Sequence, residues 1–306
     1  MTISIISHPD CMLHEMGAHH PESPARLRAI QDQLLYSGLD LILQHHDAPL
    51  ATREQLCRVH DFEYVEKIFL KSPEEGQIWL DADTPMNPHS LSAALRAAGA
   101  AVLGVDMVMT GQSNAAFCNV RPPGHHAEHN KAMGFCIFNN IAVGAAHALQ
   151  MHQRKRIAIV DFDVHHGNGT EDIFREVPEV LFCSTFQHPF YPDTGTDDAP
   201  AHIINVPLTA GTDGRAFRDA VESHWLPKLE TFQPELILIS AGFDAHVEDN
   251  MANLCLTEQD FSWVTQKIKM IADKYAKGRI VSTLEGGYAL PALGRSVAAH
   301  INALLG

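Results

Sequence analysis

The stretch Arg156-Ile-Ala-Ile-Val-Asp-Phe-Asp-Val-His-His-Gly-Asn-Gly169 decides the fold. An apolar, β-branched run of strand length ends in two aspartates and two histidines and then breaks at glycine. A run with no polar alternation fits a strand buried on both faces, as in a parallel sheet. The same grammar recurs three times: Ala115 to Val120 is followed by Arg121-Pro-Pro-Gly-His-His126, Glu235 to Ser240 by Ala241-Gly-Phe-Asp244, and Arg279 to Leu284 by Glu285-Gly-Gly-Tyr288. Ile3 to Ser7, Val180 to Ser184 and Ile203 to Val206 read as further strands.

Segments of helical period lie between these runs. They are Pro24 to Tyr36, Phe62 to Leu70, Leu91 to Met109, Asn139 to Gln150, Gly169 to Arg175, Gly214 to Leu229, Thr257 to Tyr275 and Leu290 to Leu304. At the first of them Ser23 is placed to cap and Pro24 to open the first turn. The alternation predicts an α/β protein, a single domain over residues 1–306 with a central, mostly parallel β-sheet flanked by helices. Pro21 to Pro24 and Pro85 to Pro88 read as loops, not linkers. Ligands of open parallel sheets bind outside the carboxyl ends of the strands, so four polar clusters from distant parts of the chain converge on one site.

Composition narrows the partners. Of 306 residues, 22 are Lys or Arg and 37 Asp or Glu, a formal charge of −15, with 45% hydrophobic residues. That balance fits a soluble globular protein and argues against nucleic-acid binding by a basic face. Cationic small molecules or lysine-bearing peptides are favoured. The six cysteines have irregular spacing and no CxxC, which predicts reduced thiols. Met1 to Ser7 has no basic n-region, and Ala93 to Met109 is interrupted by Arg96 and Asp106. No membrane span and a cytoplasmic location are therefore expected.

Twenty histidines include four adjacent pairs, His19–His20, His45–His46, His125–His126 and His165–His166. The first two pairs read as solvated or capping residues. Asp161, Asp163 and His165 alternate, so a strand that persisted through them would present all three on one face. Asp244, 81 residues beyond Asp163, completes an Asp-His-Asp set that leaves a fourth metal position open. The bland alternative is that the aspartates satisfy backbone donors and His165 merely packs. His125 and His126, on a loop tightened by Pro122, Pro123 and Gly124, are suited to general acid–base work. Tyr288, after two glycines, is suited to donate to an oxyanion, although a lone Gly-Gly-Tyr more often marks a turn.

Taken together the segments resemble the histone deacetylase family of the arginase–deacetylase superfamily, and most closely its class II and bacterial amidohydrolase branch. The motifs run in order: His20-Pro-Glu-Ser-Pro-Ala-Arg-Leu27, Arg121 to Ala127, Gly134-Phe-Cys136 with Asn139-Asn140, Asp161 to Thr170, Ser240 to Ala245 and Glu285 to Tyr288. The resemblance implies the arginase–deacetylase fold and a catalytic zinc ion on Asp163, His165 and Asp244. It also implies a structural potassium ion held by Asp161, Asp163 and His165 backbone groups with Ser184. It makes His126 the general base, held by Asn168, and His125 its partner, held by Asp161, with Tyr288 polarising the acyl carbonyl. Gly134, Phe135 and Tyr191 would line a narrow channel, with Met251 at the gatekeeper place and Glu248 and Asp249 close by. Asn168 stands where class I enzymes carry aspartate, and Tyr288 where some class II members carry histidine.

The reaction so implied is hydrolysis of an acetylated amine, an acetyl-lysine peptide or an acetylpolyamine, or another small amide or ester. The same ligands also suit Fe(II), Co(II) or Mn(II). A two-manganese ureohydrolase would need aspartates where Gly167 and Gly242 stand, and a non-catalytic metal-bound regulator would not need His125, His126 and Tyr288 together. Activity is expected to fall below about pH 6 as His126 gains a proton. Some members of the family oligomerise through inserted loops, for which this length leaves little room.

Overall fold

The computed structural model describes residues 2–306. Ten strands are present among them: β1 (Ile3–Ser7), β2 (Gln44–Asp47), β3 (Ile78–Asp81), β4 (Thr84–Met86), β5 (Ala115–Cys118), β6 (Ile157–Asp161), β7 (Val180–Gln187), β8 (Ile203–Leu208), β9 (Leu236–Ala241) and β10 (Ile280–Leu284). Eight of them form one sheet in the order β2-β1-β5-β10-β9-β6-β7-β8, and every pairing in it is parallel. The inner strands β5, β6, β9 and β10 are buried along their whole length. Helices cover both faces of such a sheet, which is why these runs are apolar without alternation.

That order sets the site. The carboxyl ends of β5, β10, β9, β6 and β7 stand side by side, so the loops after them open onto one rim of the sheet. The crossover helices follow the predicted segments closely: Ala25–Tyr36, Phe62–Lys71, Ser90–Thr110, Asn140–Gln150, Asn168–Phe174, Glu258–Tyr275 and Leu290–Leu305.

Several expectations are corrected. Ser23 does not cap the first helix with its side chain. Pro24 takes the N-cap position, and Ser23 offers its carbonyl to the Arg26 N–H at 3.1 Å. The segment Gly214 to Leu229 is not one α-helix: Gly214–Ala220 widens into a π-turn over Val221–Trp225 before Leu226–Phe232. Pro227 has no N–H to give to the carbonyl four residues back, so the regular ladder cannot run through it. Strand β2, which contains His45 and His46, is exposed and polar, and only pairing with β1 reveals it as an edge strand. Pro85 lies in β4 opposite Trp79 of β3, in a hairpin too small to need a proline-free ladder. Strand β6 ends at Asp161, so Asp163 and His165 are brought together by the following loop and not by a strand face.

The helix Ser90–Thr110 is long and apolar enough to cross a membrane despite Arg96 and Asp106, yet 72% of its most apolar window is buried inside the protein. It packs on β1, β5 and β10 and on Asn140–Gln150. Its apolarity is explained by this place in the core, and Arg96 reaches back to Asp10 at its edge.

Three of the histidines that carry no chemistry are buried joints. His300 bridges Thr265 Oγ1 (2.6 Å) and Ser282 Oγ (2.9 Å). Nε2 of His60 accepts from the Asn139 N–H at 3.0 Å, while its Nδ1 meets the Glu128 carbonyl at 2.9 Å. His14 meets Ser90 Oγ at 2.7 Å. Burial pushes His300 down to about 3, and His60 and His14 down to about 4. A histidine with a depressed folded pKa leaves the unfolded chain binding more protons below pH 6.5, so stability falls as pH falls through that window toward 4. Each contributes a slope of about 1.4 kcal/mol per pH unit there. Urea unfolding at pH 7, 6 and 5 should show this loss, and His300→Gln should make the slope between pH 6 and 5 shallower. An identical slope in the variant would remove His300 from the account.

Candidate active site

Asp163, His165 and Asp244 are buried together beyond β6 and β9, their ligand atoms within 4.8 Å of one another. The loop after β6 is knitted by its own carboxylates. The Asp163 N–H donates to Asp161 Oδ1 (3.1 Å) and the His165 N–H to Asp163 Oδ1 (2.9 Å). The Val164 N–H donates to Asp244 Oδ1 (2.9 Å) and the Gly286 N–H to Asp163 Oδ2 (2.8 Å). The bland reading of these aspartates is therefore half true, since each satisfies backbone donors with part of its carboxylate. The His165 ring meets both carboxylates as well: its Nδ1 lies 3.0 Å from Asp163 Oδ1, which the His165 N–H also reaches, and 3.2 Å from Asp244 Oδ2, and Asp244 Oδ2 has no directed hydrogen bond despite burial.

Two carboxylates and an imidazole aimed at one point, one oxygen unpartnered, fit a divalent cation. Without one, these carboxylates outweigh burial and push His165 up to about 10. Burial and Asp163 push Asp244 up to about 6. The cluster thus favours positive charge at its centre, as a proton or as an ion. Two other clusters of suitable residue types, Asp106–His147–His152 and His246–Glu248–Glu258, each already contain a guanidinium, from Arg58 and Arg295 respectively. Ser184, opposite Asp161 in the β6–β7 register, is fully buried with its Oγ unpartnered, which fits the monovalent site that the family resemblance implies.

The loop after β5 brings the histidine pair to the same place. His125 Nδ1 lies 3.0 Å from Asp161 Oδ2 and His126 Nδ1 2.8 Å from Asn168 Oδ1, the two rings 4.0 Å apart. Their environments drive them in opposite directions. Burial opposes charge on His125, but Asp161 and Asp163 outweigh it and hold its pKa up to about 10. Burial, reinforced by His125 and His165, holds His126 well below the usual histidine value. Titratable neighbours pushed apart in this way mark an acid and a base. Tyr288 projects toward the same site, its phenol kept protonated by burial.

A cavity of about 210 Å³ leads to these groups, lined by all four expected channel residues, Gly134, Phe135, Tyr191 and Met251. Gly134 (φ +57°) and Phe135 (φ +69°) are both left-handed, a strained state for phenylalanine. The β3–β4 hairpin fixes it: Asp83 Oδ1 accepts from the Gly134 N–H (3.0 Å) and Thr84 Oγ1 from the Phe135 N–H (3.2 Å). A side chain at position 134 would strike His126, since a Cβ there lies 2.4 Å from His126 Cδ2.

Four residues with roles at the site were not identified from sequence. Phe190 stacks on His165 with ring centres 5.6 Å apart. Asp83 lines the cavity; no spacing rule links it to the site, because a hairpin delivers it from 51 residues before Gly134. Glu285 accepts from the Gly124 N–H (2.6 Å) and His125 N–H (3.1 Å), so it sets the histidine loop. Arg26 donates to the Gly287 carbonyl at 2.7 Å and to the Glu285 carbonyl, and its guanidinium lies 5.0 Å from the Tyr288 ring centre. Glu285 and Arg26 sit inside recognised motifs, which is the signal that was available. Glu248 and Asp249 are not free carboxylates at the mouth. Asp249 Oδ2 accepts from the Tyr288 N–H (2.6 Å) and Ala289 N–H (2.9 Å), and Glu248 pairs with Arg295. His166 is tied to Thr194 Oγ1 at 2.8 Å, a supporting place.

A histone deacetylase domain model matches residues 20–304 of the chain. Histone deacetylase 14, chloroplastic, of Arabidopsis thaliana is 40% identical over 309 aligned positions, covering 94% of this chain and 73% of that protein. The histone deacetylase-like amidohydrolase of Pseudomonas aeruginosa is 39% identical over 279, covering 89% and 73%. Among solved structures the HD domain of HDA15 matches with a TM-score of 0.94 at 35% identity, over 99% of this chain and 88% of that one. The chain belongs to the histone deacetylase family, and it is a hydrolytic deacetylase or amidohydrolase acting on amide bonds.

No room exists at the two positions where a second metal would need carboxylates: a Cβ at Gly167 would lie 2.3 Å from Asp161 Oδ2, and one at Gly242 2.0 Å from Asp163 Oδ2. Gly242→Ala should therefore displace the Asp163 carboxylate and weaken divalent-ion binding by about 10–100-fold, the range seen when support to a ligand is lost. Competition with a chromophoric chelator measures this, with circular dichroism to verify folding. Unchanged affinity in the folded variant would show that Asp163 is not a ligand.

Proposed function

We propose that this protein is a zinc-dependent amidohydrolase that removes acetyl groups from amines carried on a slim aliphatic stem. One observation carries the reading: two oppositely tuned histidines, a phenol and the His165 ring of a buried Asp-His-Asp set line one cavity. Asp163, His165 and Asp244 would hold Zn²⁺, and Asp161, Asp163 and His165 backbone groups with Ser184 would hold K⁺. A divalent ion there supplies Lewis acidity toward the acyl carbonyl and acidifies water.

The chain's own residues do the rest. His126 is tied through Nδ1 to Asn168, so its Nε2 is the atom available to take a proton from the attacking water. Tyr288, protonated at working pH, donates its O–H to the oxyanion as it forms. His125, held in the charged form by Asp161, stabilises that charge and returns a proton to the leaving amine, giving acetate and a free amine. General acid–base groups supply about 10²–10⁴-fold. Phe135, Phe190 and Tyr191 exclude water and grip the stem.

An acetyl-lysine peptide is the favoured substrate, because Met251 takes the gatekeeper place and Asp249 and Glu248 are engaged elsewhere. Asp83 at the cavity favours acetylpolyamines as a second reading, since its carboxylate together with the net charge of −15 attracts a second cationic amine. Comparing kcat/KM for an acetyl-lysine peptide and acetylputrescine separates them. A lead of about 100-fold for acetylputrescine, worth about 2.7 kcal/mol in transition-state binding, would establish the second.

His126→Ala and Tyr288→Phe should each lower kcat by at least about 10²-fold with KM little changed. Full activity in both would overturn the mechanism. The depressed pKa of His126 agrees with the expected pH profile, because a base held well below the ordinary histidine value of 6.5 places the acid limb of kcat/KM below 6.5. The assay needs saturating zinc, because protons compete for the metal ligands. A limb centred at 6.5 under those conditions would show that His126 is not the base.

A further inference from the structure

We propose that Glu128 is a positioning residue that fixes the tautomer of His126 by holding the Asn168 amide in one orientation. This rests on the reading of His126 as the base. A neutral imidazole carries its proton on either nitrogen, and His126 can accept a proton through Nε2 only if Nδ1 bears the hydrogen. Its Nδ1 partner is an amide, which presents an acceptor at one end and a donor at the other. With the carbonyl toward His126, Nδ1 is the N–H and Nε2 is the base. With the amide reversed, Nδ1 must accept, the proton moves to Nε2, and the base is lost. An aspartate at this place would have two acceptor oxygens and no such choice.

The surroundings of the other end decide it. Asn168 Nδ2 faces Glu128 Oε1 at 2.8 Å, Met133 Sδ at 3.3 Å and the His126 carbonyl at 3.5 Å. None of the three can donate, so the end that meets them is the NH₂. The carboxylate is the strong one, because a charged acceptor roughly doubles the strength of a hydrogen bond. Among the described residues the Glu128 carboxylate makes no other hydrogen bond and no ion pair.

The backbone of Glu128 is pinned for the task. Its N–H donates to the Lys131 carbonyl (2.9 Å), and its own carbonyl accepts from His60 Nδ1 (2.9 Å). A second cleft of about 260 Å³ is lined by Glu128 and Asn168 and shares no lining residue with the substrate cavity. Water entering there would satisfy either end of the amide, so an acceptor with a full charge is what makes the orientation single. It also means that Glu128 can be changed without touching substrate.

The test uses the zinc-loaded, full-length protein with ¹⁵N-labelled histidine. Long-range ¹H–¹⁵N correlation reads the His126 tautomer directly, and kcat and KM are measured beside it. The wild type should show Nδ1–H. Glu128→Lys replaces the acceptor by a donor, so the amide should reverse, the His126 proton should move to Nε2, and kcat should fall by about 10²-fold or more with KM little changed. Glu128→Lys combined with Asn168→Asp should restore Nδ1–H and most of kcat, because the new carboxylate accepts from His126 and from the lysine at once. Glu128→Gln can still accept from Asn168 and should stay within about threefold of wild type.

At equal zinc content and melting temperature, an unchanged tautomer in Glu128→Lys would overturn the proposal. So would a double variant no better than the single one. A reversed tautomer with undiminished kcat would uphold the positioning role and overturn instead the reading of His126 as the base.

Discussion

Five carboxylates, those of Glu22, Asp161, Asp163, Asp244 and Glu285, lie with 1% exposure or less at the carboxyl end of one parallel sheet. A buried charge is costly unless it is paired and hydrogen-bonded, and the architecture around the site follows from meeting that demand. Arg121 grips Glu22 with two nitrogens, one at 2.6 Å, and Arg121 outweighs burial to hold the Glu22 carboxyl down to about 2. Arg26 joins Glu22 at 3.2 Å and carries the Glu285–Tyr288 loop on its remaining donors. Glu285, pushed up to about 7 by burial, caps the N–H groups of the histidine loop. Each carboxylate thereby ties a loop from one strand to a loop from another.

The same demand organises the chemistry. Asp161 holds His125 in the charged form, and the charge on His125 helps keep its neighbour His126 neutral, so one buried carboxylate drives two adjacent and identical side chains in opposite directions. Asp163 and Asp244, with only His165 between them, leave a net negative centre. Glycines at 242 and 286 let the backbone approach these carboxylates, since a Cβ at either would lie 2.0 Å from a carboxylate oxygen. One of the strained residues, Phe135, lies in the left-handed region at the site itself, where the β3–β4 hairpin holds an aromatic wall beside the histidine rings. Strain of that kind persists where surrounding contacts over-determine the backbone, and the hairpin's two acceptors, Asp83 and Thr84, do so here.

Much of this was legible in the chain. Inner strands such as Ile157–Asp161 and Leu236–Ala241 announce themselves because burial on both faces leaves no polar alternation. The clusters after them stand out because polar residues and glycine follow an apolar run abruptly. Edge strand Gln44–Asp47 and the hairpin holding Asp83 do not, since a strand that buries little has no apolar period to read. Whether Asp249 and Glu248 are free at the mouth is not legible in the chain for a related reason. Sequence proximity to Met251 says nothing of whether a carboxylate is free, and both are engaged by groups 39 and 47 residues away.

By itself the sequence determined the parallel α/β layering, the family and the residue types of the site, because these depend on local apolar runs and on short motifs whose members are neighbours. Only the tertiary structure decided which nitrogen of His126 meets Asn168, what drives the two adjacent histidines in opposite directions, and which carboxylate reaches the cavity. Those properties arise from partners such as Asp161, Glu128 and Asp83, brought within hydrogen-bonding range from separate strands and loops. Coulomb and hydrogen-bond energies fall off over a few ångströms of space, whatever the distance along the chain.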